Sequence, residues 1–178
     1  MDIDEQRLLA HAARHGDQSA WEQLYRNVYP RLYAYATARV GTGSAEDMVN
    51  ETMARAVAGI EKFKWNGGGF DAWLFGVLRR VCLEQYRKKN NTRVSWDSLW
   101  IDHADPGEAM EQQAEHEALR RAFANLNDSD RDILALRLIS GLSAEEVARL
   151  VGKSPGAVRT AQSRALASLR QLIGQQQP

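Results

Sequence analysis

One stretch constrains the fold more than any other. An aromatic, glycine-rich loop, Phe63-Lys-Trp-Asn-Gly-Gly-Gly, runs straight into a long apolar segment that ends in Arg87-Lys88-Lys89. Phe70, Trp73, Leu74, Val77, Leu78 and Val81 recur at three- and four-residue spacing, the period of a helix face and not the alternation of a strand. Such a face must be buried against other helices. Arg79, Arg80, Arg87, Lys88 and Lys89 fall off this stripe or beyond it, placed to meet phosphates. A glycine loop flanked by aromatics can approach a nucleic acid backbone and cup an unstacked base. The plainer alternative makes Phe63, Phe70 and Trp73 core and the cations a solvated helix end.

The remaining sequence reads as helices throughout. Residues 3–15 form a short helix with Ile3, Leu8, Leu9 and Ala12 near one side, stopped at Gly16. Ser19-Ala-Trp-Glu22 has the form of a capping box, opening a helix with Trp21, Leu24, Tyr25, Val28, Leu32, Tyr35, Ala36 and Val40 at helical spacing. Pro30 lies inside it, where a kink is expected. Ser44-Ala-Glu-Asp47 is expected to cap the next helix, with Met48, Thr52, Ala56 and Ile60 in one line and Val49, Met53 and Val57 beside them. That leaves Asp47, Asn50, Glu51 and Arg55 on another face, either simply solvated or held by a fixed partner. Residues 19–89 thus supply three consecutive helices, enough for a small bundle.

The period is lost over residues 90–110, which hold Asn90-Asn-Thr and Asp105-Pro-Gly and read as a linker; Trp96 and Trp100 suggest that it lies against something. Helix resumes over 111–125 with Ala114, Ala118, Leu119, Ala122 and Phe123, and again from Asn127 with Ile133, Leu134, Leu136, Leu138 and Ile139. Ser143-Ala-Glu-Glu146 is a capping box, Gly152-Lys153 a turn, and Ser154-Pro155 a cap followed by proline at a first helical position. The result is a helix-turn-helix whose second helix has Ala157, Val158, Ala161, Ala165, Leu166, Leu169 and Leu172 for packing. Its polar residues Arg159, Thr160, Gln162, Ser163 and Arg164 are types that contact phosphates or base edges. The final Gln175-Gln-Gln-Pro reads as a frayed end.

Charge separates these regions. The 178 residues carry 23 basic and 23 acidic side chains, a net charge of zero that by itself argues against nucleic acid. By segment, however, residues 1–60 stand at −2, 61–93 at +5, 94–119 at −7 and 120–178 at +4. Two basic blocks around an acidic one describe a two-module binder with an anionic connector. A net-neutral chain also binds DNA weakly alone, because phosphate neutralisation supplies most non-specific affinity.

Several classes drop out. Cys82 is the only cysteine, which excludes an internal disulfide framework and points to a reducing compartment; it falls among apolar positions and reads as core. No apolar run approaches the ~18 residues of a membrane span, and the acidic start Met-Asp-Ile-Asp-Glu lacks a signal peptide's basic and apolar regions, so a soluble, cytoplasmic protein is expected. His11 and His15 are four apart without a third ligand at a useful spacing, so no metal is expected. There is no phosphate loop, no HExxH, no CxxC and no assembled nucleophile and base. No cofactor and no catalytic residue is assigned.

Four motifs in order carry a family resemblance: Leu24-Tyr-Arg-Asn-Val-Tyr-Pro-Arg-Leu-Tyr33, Ala45-Glu-Asp-Met-Val-Asn-Glu-Thr52, Phe70-Asp-Ala-Trp-Leu-Phe75, and Leu126-Asn-Asp-Ser-Asp-Arg131 with residues 143–164. The chain resembles the group IV, or extracytoplasmic-function (ECF), sigma factors of bacterial RNA polymerase, over residues 19–89 and about 117–173. The resemblance implies an all-α fold of two small helical domains joined by an acidic, flexible linker. Its expected bounds are an N-terminal helix at 1–18, the sigma-2 domain at 19–92, the linker at 93–113 and the sigma-4 helix-turn-helix domain at 114–174. It also implies a transcription initiation factor, not an enzyme. The partners so implied are core polymerase (clamp helices of the largest subunit, flap of the second largest), promoter DNA and an anti-sigma factor, with no membrane insertion.

Residue by residue, the resemblance puts Asp47, Asn50 and Glu51 on the polymerase clamp. Phe63, Lys64, Trp65 and Asn66, with Arg79, Arg80, Arg87 and Lys88, would recognise and melt the −10 element, where extruding a base costs a few kcal/mol that stacking must offset. Lys153, Ser154, Arg159, Thr160, Ser163 and Arg164 would read the −35 element, and the linker would thread toward the polymerase active centre. Gly76 and Arg80 stand where the family usually shows arginine and asparagine, and Ala161 and Gln162 replace an arginine and an aliphatic or aromatic residue, so promoter preference is expected to differ. Two other classes compete. A free-standing helix-turn-helix regulator should carry its own positive charge, and a recombinase-like enzyme lacks its nucleophile and base here.

Overall fold

A computed structural model of the chain describes residues 1–65, 68–89, 119, 121–123 and 125–174. Two units are present, Met1–Arg93 and Val94–Pro178. The acidic connector with Trp96 and Trp100, the expected helix through Ala114 and Ala118, and the terminal Gln175-Gln-Gln-Pro lie outside the described residues.

The first unit is built from α1 (Ile3–Arg14), α2 (Gln18–Val40), α3 (Thr42–Gly59), a 3₁₀ turn (Ile60–Lys62) and α4 (Gly69–Lys89). Helix α4 packs against all three of the others, and the sequence shows why. Phe70, Leu74, Phe75 and Leu78 are fully buried, and Ala72, Val77, Val81 and Cys82 nearly so. The buried surface is therefore wider than the single expected stripe, because partners approach from three sides. Phe75 meets Tyr35 of α2 edge-on with ring centroids 5.9 Å apart. From α3, the expected line Met48, Thr52, Ala56 and Ile60 is buried, and the Thr52 hydroxyl donates back to the Met48 carbonyl at 2.6 Å.

Four local expectations are corrected. The cap of α2 is Asp17, whose Oδ1 accepts from Ala20 N at 3.1 Å; Ser19 lies inside the helix and Glu22 pairs with Arg26. A carboxylate at the cap also opposes the positive end of the helix dipole, so Asp17 outcompetes the serine. Helix α3 starts at Thr42, directly after a turn at Gly41 with φ +83°, so Ser44 falls within its first turn and does not cap it. Helix α1 buries Gln6, Ala10 and Ala13 and leaves Ile3 and Leu8 about 70 % exposed. Its small residues face inward because they let α1 lie close to its neighbours. Val57 in α3 and Leu138 in the second unit are also exposed, against expectation. Pro30 lies inside α2, as the sequence places it.

The second unit holds helical residues 121–123, α5 (Asp128–Leu134), a π-type turn (Ala135–Ile139), α6 (Ala144–Val151) and α7 (Pro155–Gly174). Asn127 caps α5 through Asp130 N. The buried Arg131 donates to the Phe123 carbonyl at 3.2 Å and the Leu126 carbonyl at 2.5 Å, satisfying the end of the preceding segment. The expected capping box on α6 is present, with Ser143 N donating to Glu146 at 2.6 Å and Glu146 N to Ser143 Oγ at 3.2 Å. Gly152 closes α6 in the left-handed region, and Ser154 Oγ accepts from Ala157 N at the start of α7.

Phe75 is the clearest test of this packing. Replacing it with alanine is expected to destabilise the first unit by about 3–5 kcal/mol, since a fully buried ring against Tyr35 leaves a cavity few neighbours can fill. Urea unfolding followed by far-UV dichroism reads this directly, and a loss below about 1 kcal/mol contradicts the assignment of Phe75 to the core.

Candidate functional site

The N-terminus of α4 is fixed by two other helices. Gln6 of α1 accepts from Phe70 N at 3.1 Å and donates to Asp71 Oδ1 at 2.7 Å, while Arg31 of α2 bridges Asp71 Oδ2. Just before them, Gly69 has φ +63°, and a Cβ there would meet Gln6 Oε1 at 2.9 Å and the Trp65 ring at 3.7 Å. The positive φ favours glycine here, and any larger residue would also have to displace the end of the Gln6 side chain. Phe63 is buried and packs against Trp65, Phe70 and Trp73 with centroids 5.1 to 5.9 Å apart. Its ring is thus the floor of the aromatic loop, and Trp65, half-buried, is the indole above it.

Asp47, Asn50 and Glu51 all stand exposed on α3, opposite its buried line. Arg55, one turn on, bridges Glu51 at 2.7 Å and Glu84 of α4 at 2.8 Å. These carboxylates, Glu84 first, raise the Arg55 guanidinium further above its ordinary value. A groove of about 390 Å³ opens beside this bridge, lined by Arg55, Gly59, Lys62, Trp73, Val77, Arg80 and Glu84. It combines an aromatic wall with three cations and one carboxylate, a surface suited to a polyanion carrying planar groups.

On the second unit, α7 divides cleanly. Val158, Ala161, Ala165 and Leu169 are buried; Arg159, Thr160, Ser163 and Arg164 are exposed on the other side, with Lys153 and Ser154 exposed at the turn. The arginines are held by carboxylates. Arg164 makes a two-point contact with Asp130, Nε to Oδ2 at 3.0 Å and Nη2 to Oδ1 at 2.6 Å, and Arg159 bridges Glu145. Asp130 is only 2 % exposed. Hydrogen bonds from Arg164 first, then from Asn127, hold its carboxyl below the ordinary value against the opposing effect of burial. Arg137 donates to Gln162 Oε1 at 2.9 Å and to the Leu142 carbonyl, so Gln162 has a place in the fold, and Ala161 is small because it packs inward.

The expected −10 residues do not all come together. Lys64, Arg80 and Arg87 are exposed, Arg79 is half-buried and Phe63 is buried; Asn66 and the Lys88 side chain lie outside what is described. Arg80 Nε turns back to the Gly76 carbonyl at 3.2 Å. Sequence reasoning missed Gln6, Arg31 and Asp71, whose partners lie 40 and 65 positions apart, and no local pattern signals them. It missed Asp130 likewise, as the partner of Arg164. Among the described residues no group of three or more His, Cys, Asp or Glu is placed to hold a metal ion, and no helix is long and apolar enough to cross a membrane.

Comparison with known proteins covers both units. Residues 24–92 match the family described as Sigma-70 region 2, and residues 116–169 that described as Sigma-70, region 4. The chain is 32% identical to the ECF RNA polymerase sigma factor ShbA of Streptomyces griseus, over 94% of each chain. It is 31% identical to the ECF RNA polymerase sigma factor BldN of Streptomyces coelicolor, over 97% of this chain and 68% of that one. Among solved structures it resembles the sigma factor RpoE of Bartonella quintana in complex with the anti-sigma factor NepR, at 28% identity and a TM-score of 0.70, covering 88% of this chain and 98% of that chain.

The buried Asp130 carboxylate makes the second unit sensitive to acid. Because its folded pKa is depressed, its contribution to stability is full above the ordinary carboxylate value and is lost as pH falls through the lower, folded value. Asp130→Asn is expected to lower the thermal midpoint at neutral pH and to flatten the acid limb of the stability profile. A variant whose acid limb runs parallel to that of the parent protein excludes this carboxylate as its source.

Proposed function

Because the chain belongs to the ECF sigma factors of RNA polymerase, we propose that it divides promoter recognition between its two units and docks on the polymerase through α3. The observation that carries this reading is the exposure of Asp47, Asn50 and Glu51 as one anionic face over a buried line of apolar residues. In this reading that face meets the clamp helices of the polymerase largest subunit, and the second unit meets the flap of the second largest. Lys64, Trp65 and the cations Arg79, Arg80, Arg87 and Lys88 of α4 engage the −10 strand, with Phe63 supporting Trp65 from below. The groove beside Trp73 gives this surface an aromatic wall and added positive charge from Lys62 and Arg80. Lys153, Ser154, Arg159, Thr160, Ser163 and Arg164 meet the −35 duplex in the major groove.

Arginines already paired with Asp130 and Glu145 are poised for this second task. The two-point contact with Asp130 fixes the direction of Arg164, and the bridge to Glu145 that of Arg159, while the donors engaged there must be shared when phosphate is met. The protein acts by binding, without turnover of its own, and works in the cytoplasm beside the polymerase. An anti-sigma factor holds it inactive, a reading supported by the likeness to the RpoE sigma factor solved in complex with its anti-sigma factor.

Run-off transcription on a genomic promoter library, with core polymerase alone and with this protein added, tests the reading. New start sites sharing a −35/−10 pair are expected, and replacing Asp47 and Glu51 together with alanine is expected to reduce them about tenfold or more. Unchanged transcription by the double variant removes α3 from the docking surface. No new starts at all, with duplex DNA still shifted by the protein alone, makes it a free-standing regulator.

A further inference from the structure

The residues before position 24 lie outside the matched sigma region, yet one of them reaches the N-terminus of the proposed −10 helix. We propose that Gln6 is a positioning residue for promoter opening, holding Gly69 and the first turn of α4 so that Trp65 is correctly placed; this rests on the −10 role proposed above.

Three observations carry it. Gln6 is 8 % exposed on a helix whose other buried residues are alanines, and both ends of its amide are used. Its oxygen accepts from Phe70 N, one of the donors a helix start leaves without a partner inside the helix, and its nitrogen donates to Asp71. The same oxygen sits where a Cβ on Gly69 would come within 2.9 Å, with the Trp65 ring 3.7 Å from that point. The amide oxygen thus lies directly against Gly69, with the indole at ordinary packing distance from the same point. Finally, α1 packs on both the Ile60–Lys62 turn and α4, the elements before and after the aromatic loop. Burial alone does not account for an amide here, because an apolar side chain of equal size avoids the desolvation of a polar group. What the amide adds is a fixed relation between α1, Gly69 and the first turn of α4, the geometry on which base capture by Trp65 depends.

The test uses Gln6→Met, which keeps the volume and removes both hydrogen bonds, on the strongest promoter found in the run-off screen. Two templates are compared: the full duplex, and the same promoter mismatched over the −10 region so that the strands are already apart. Gln6→Met is expected to lower initiation on the duplex about tenfold, the scale of one or two lost hydrogen bonds, while core-polymerase affinity stays within about twofold and the mismatched template restores most of the loss. A loss of equal size on both templates, with weakened polymerase binding or a lowered melting temperature, assigns Gln6 a merely structural role and overturns the proposal. So does wild-type initiation by the variant on the duplex. If the unsubstituted protein itself directs no initiation, the sigma reading fails first and this inference with it. Gly69→Ala gives a second readout: because it disturbs the same Gln6 oxygen, its defect on the duplex is expected to be less than additive with that of Gln6→Met, whereas fully additive defects count against coupling between the two positions.

Discussion

The first unit depends on one half-buried carboxylate. Asp71 stands in the first turn of α4 and takes partners from two other helices, the Gln6 amide from α1 and the Arg31 guanidinium from α2. Acid in the first turn suits the helix dipole, but at a surface that effect is worth only a few tenths of a kcal/mol to about 1. Tying three helices at one point matters more. The apolar packing along α4 tolerates small sliding, because hydrophobic contact has no direction; hydrogen bonds and ion pairs have fixed lengths and angles. Leu74, Phe75 and Leu78 therefore provide the bulk of the stability, and Asp71 sets the register at the end of α4 where the aromatic loop joins.

The second unit repeats the device with different residues. Buried Arg131 closes the carbonyls of Phe123 and Leu126, and buried Asp130 beside it fixes Arg164 of α7. Two adjacent residues of α5, opposite in charge and both nearly inaccessible, thus join the segment before them to the helix that follows the turn. Removing Arg164 leaves the Asp130 carboxylate buried and short of its main partner, which costs more than the contact itself contributes. Asp130 links the fold of this unit to its proposed DNA surface, since it belongs to the core and its partner to the face proposed to read DNA.

What was legible in the sequence was what short-range periodicity encodes. The α4 stripe, the buried line of α3, the Ser143–Glu146 box and the Ser154-Pro155 start all repeat or close within four residues, and each stands in the structure as expected. What failed were choices between neighbours. Asp17 and Ser19 are both competent caps two positions apart, and the match of a carboxylate to the helix dipole favours the start at Asp17. In α1 the apolar residues suggested one face, whereas close packing selected the face of Ala10 and Ala13 and left Ile3 and Leu8 in solvent. Least legible were the polar links. A glutamine at position 6 and an aspartate at 71 carry no local mark of one another, and Phe63 looked as much like a base-stacking residue as like the floor beneath Trp65.

Pairing of the arginines proposed to meet DNA and overall neutrality have one consequence together. A chain of net charge zero gains little from counterion release on duplex DNA. Arg159 and Arg164 must in addition share their donors with Glu145 and Asp130 when they meet phosphate. Each effect weakens binding by the isolated protein, and in the proposed complex both are offset, because the second contact forms at high effective concentration once the polymerase holds both units near a promoter. On the proposed reading, weak DNA binding by the isolated chain confines recognition to the assembled enzyme. The basic blocks at 61–93 and 120–178 give each unit enough local charge for its own contact, and the acid between them keeps the whole chain from behaving as a polycation.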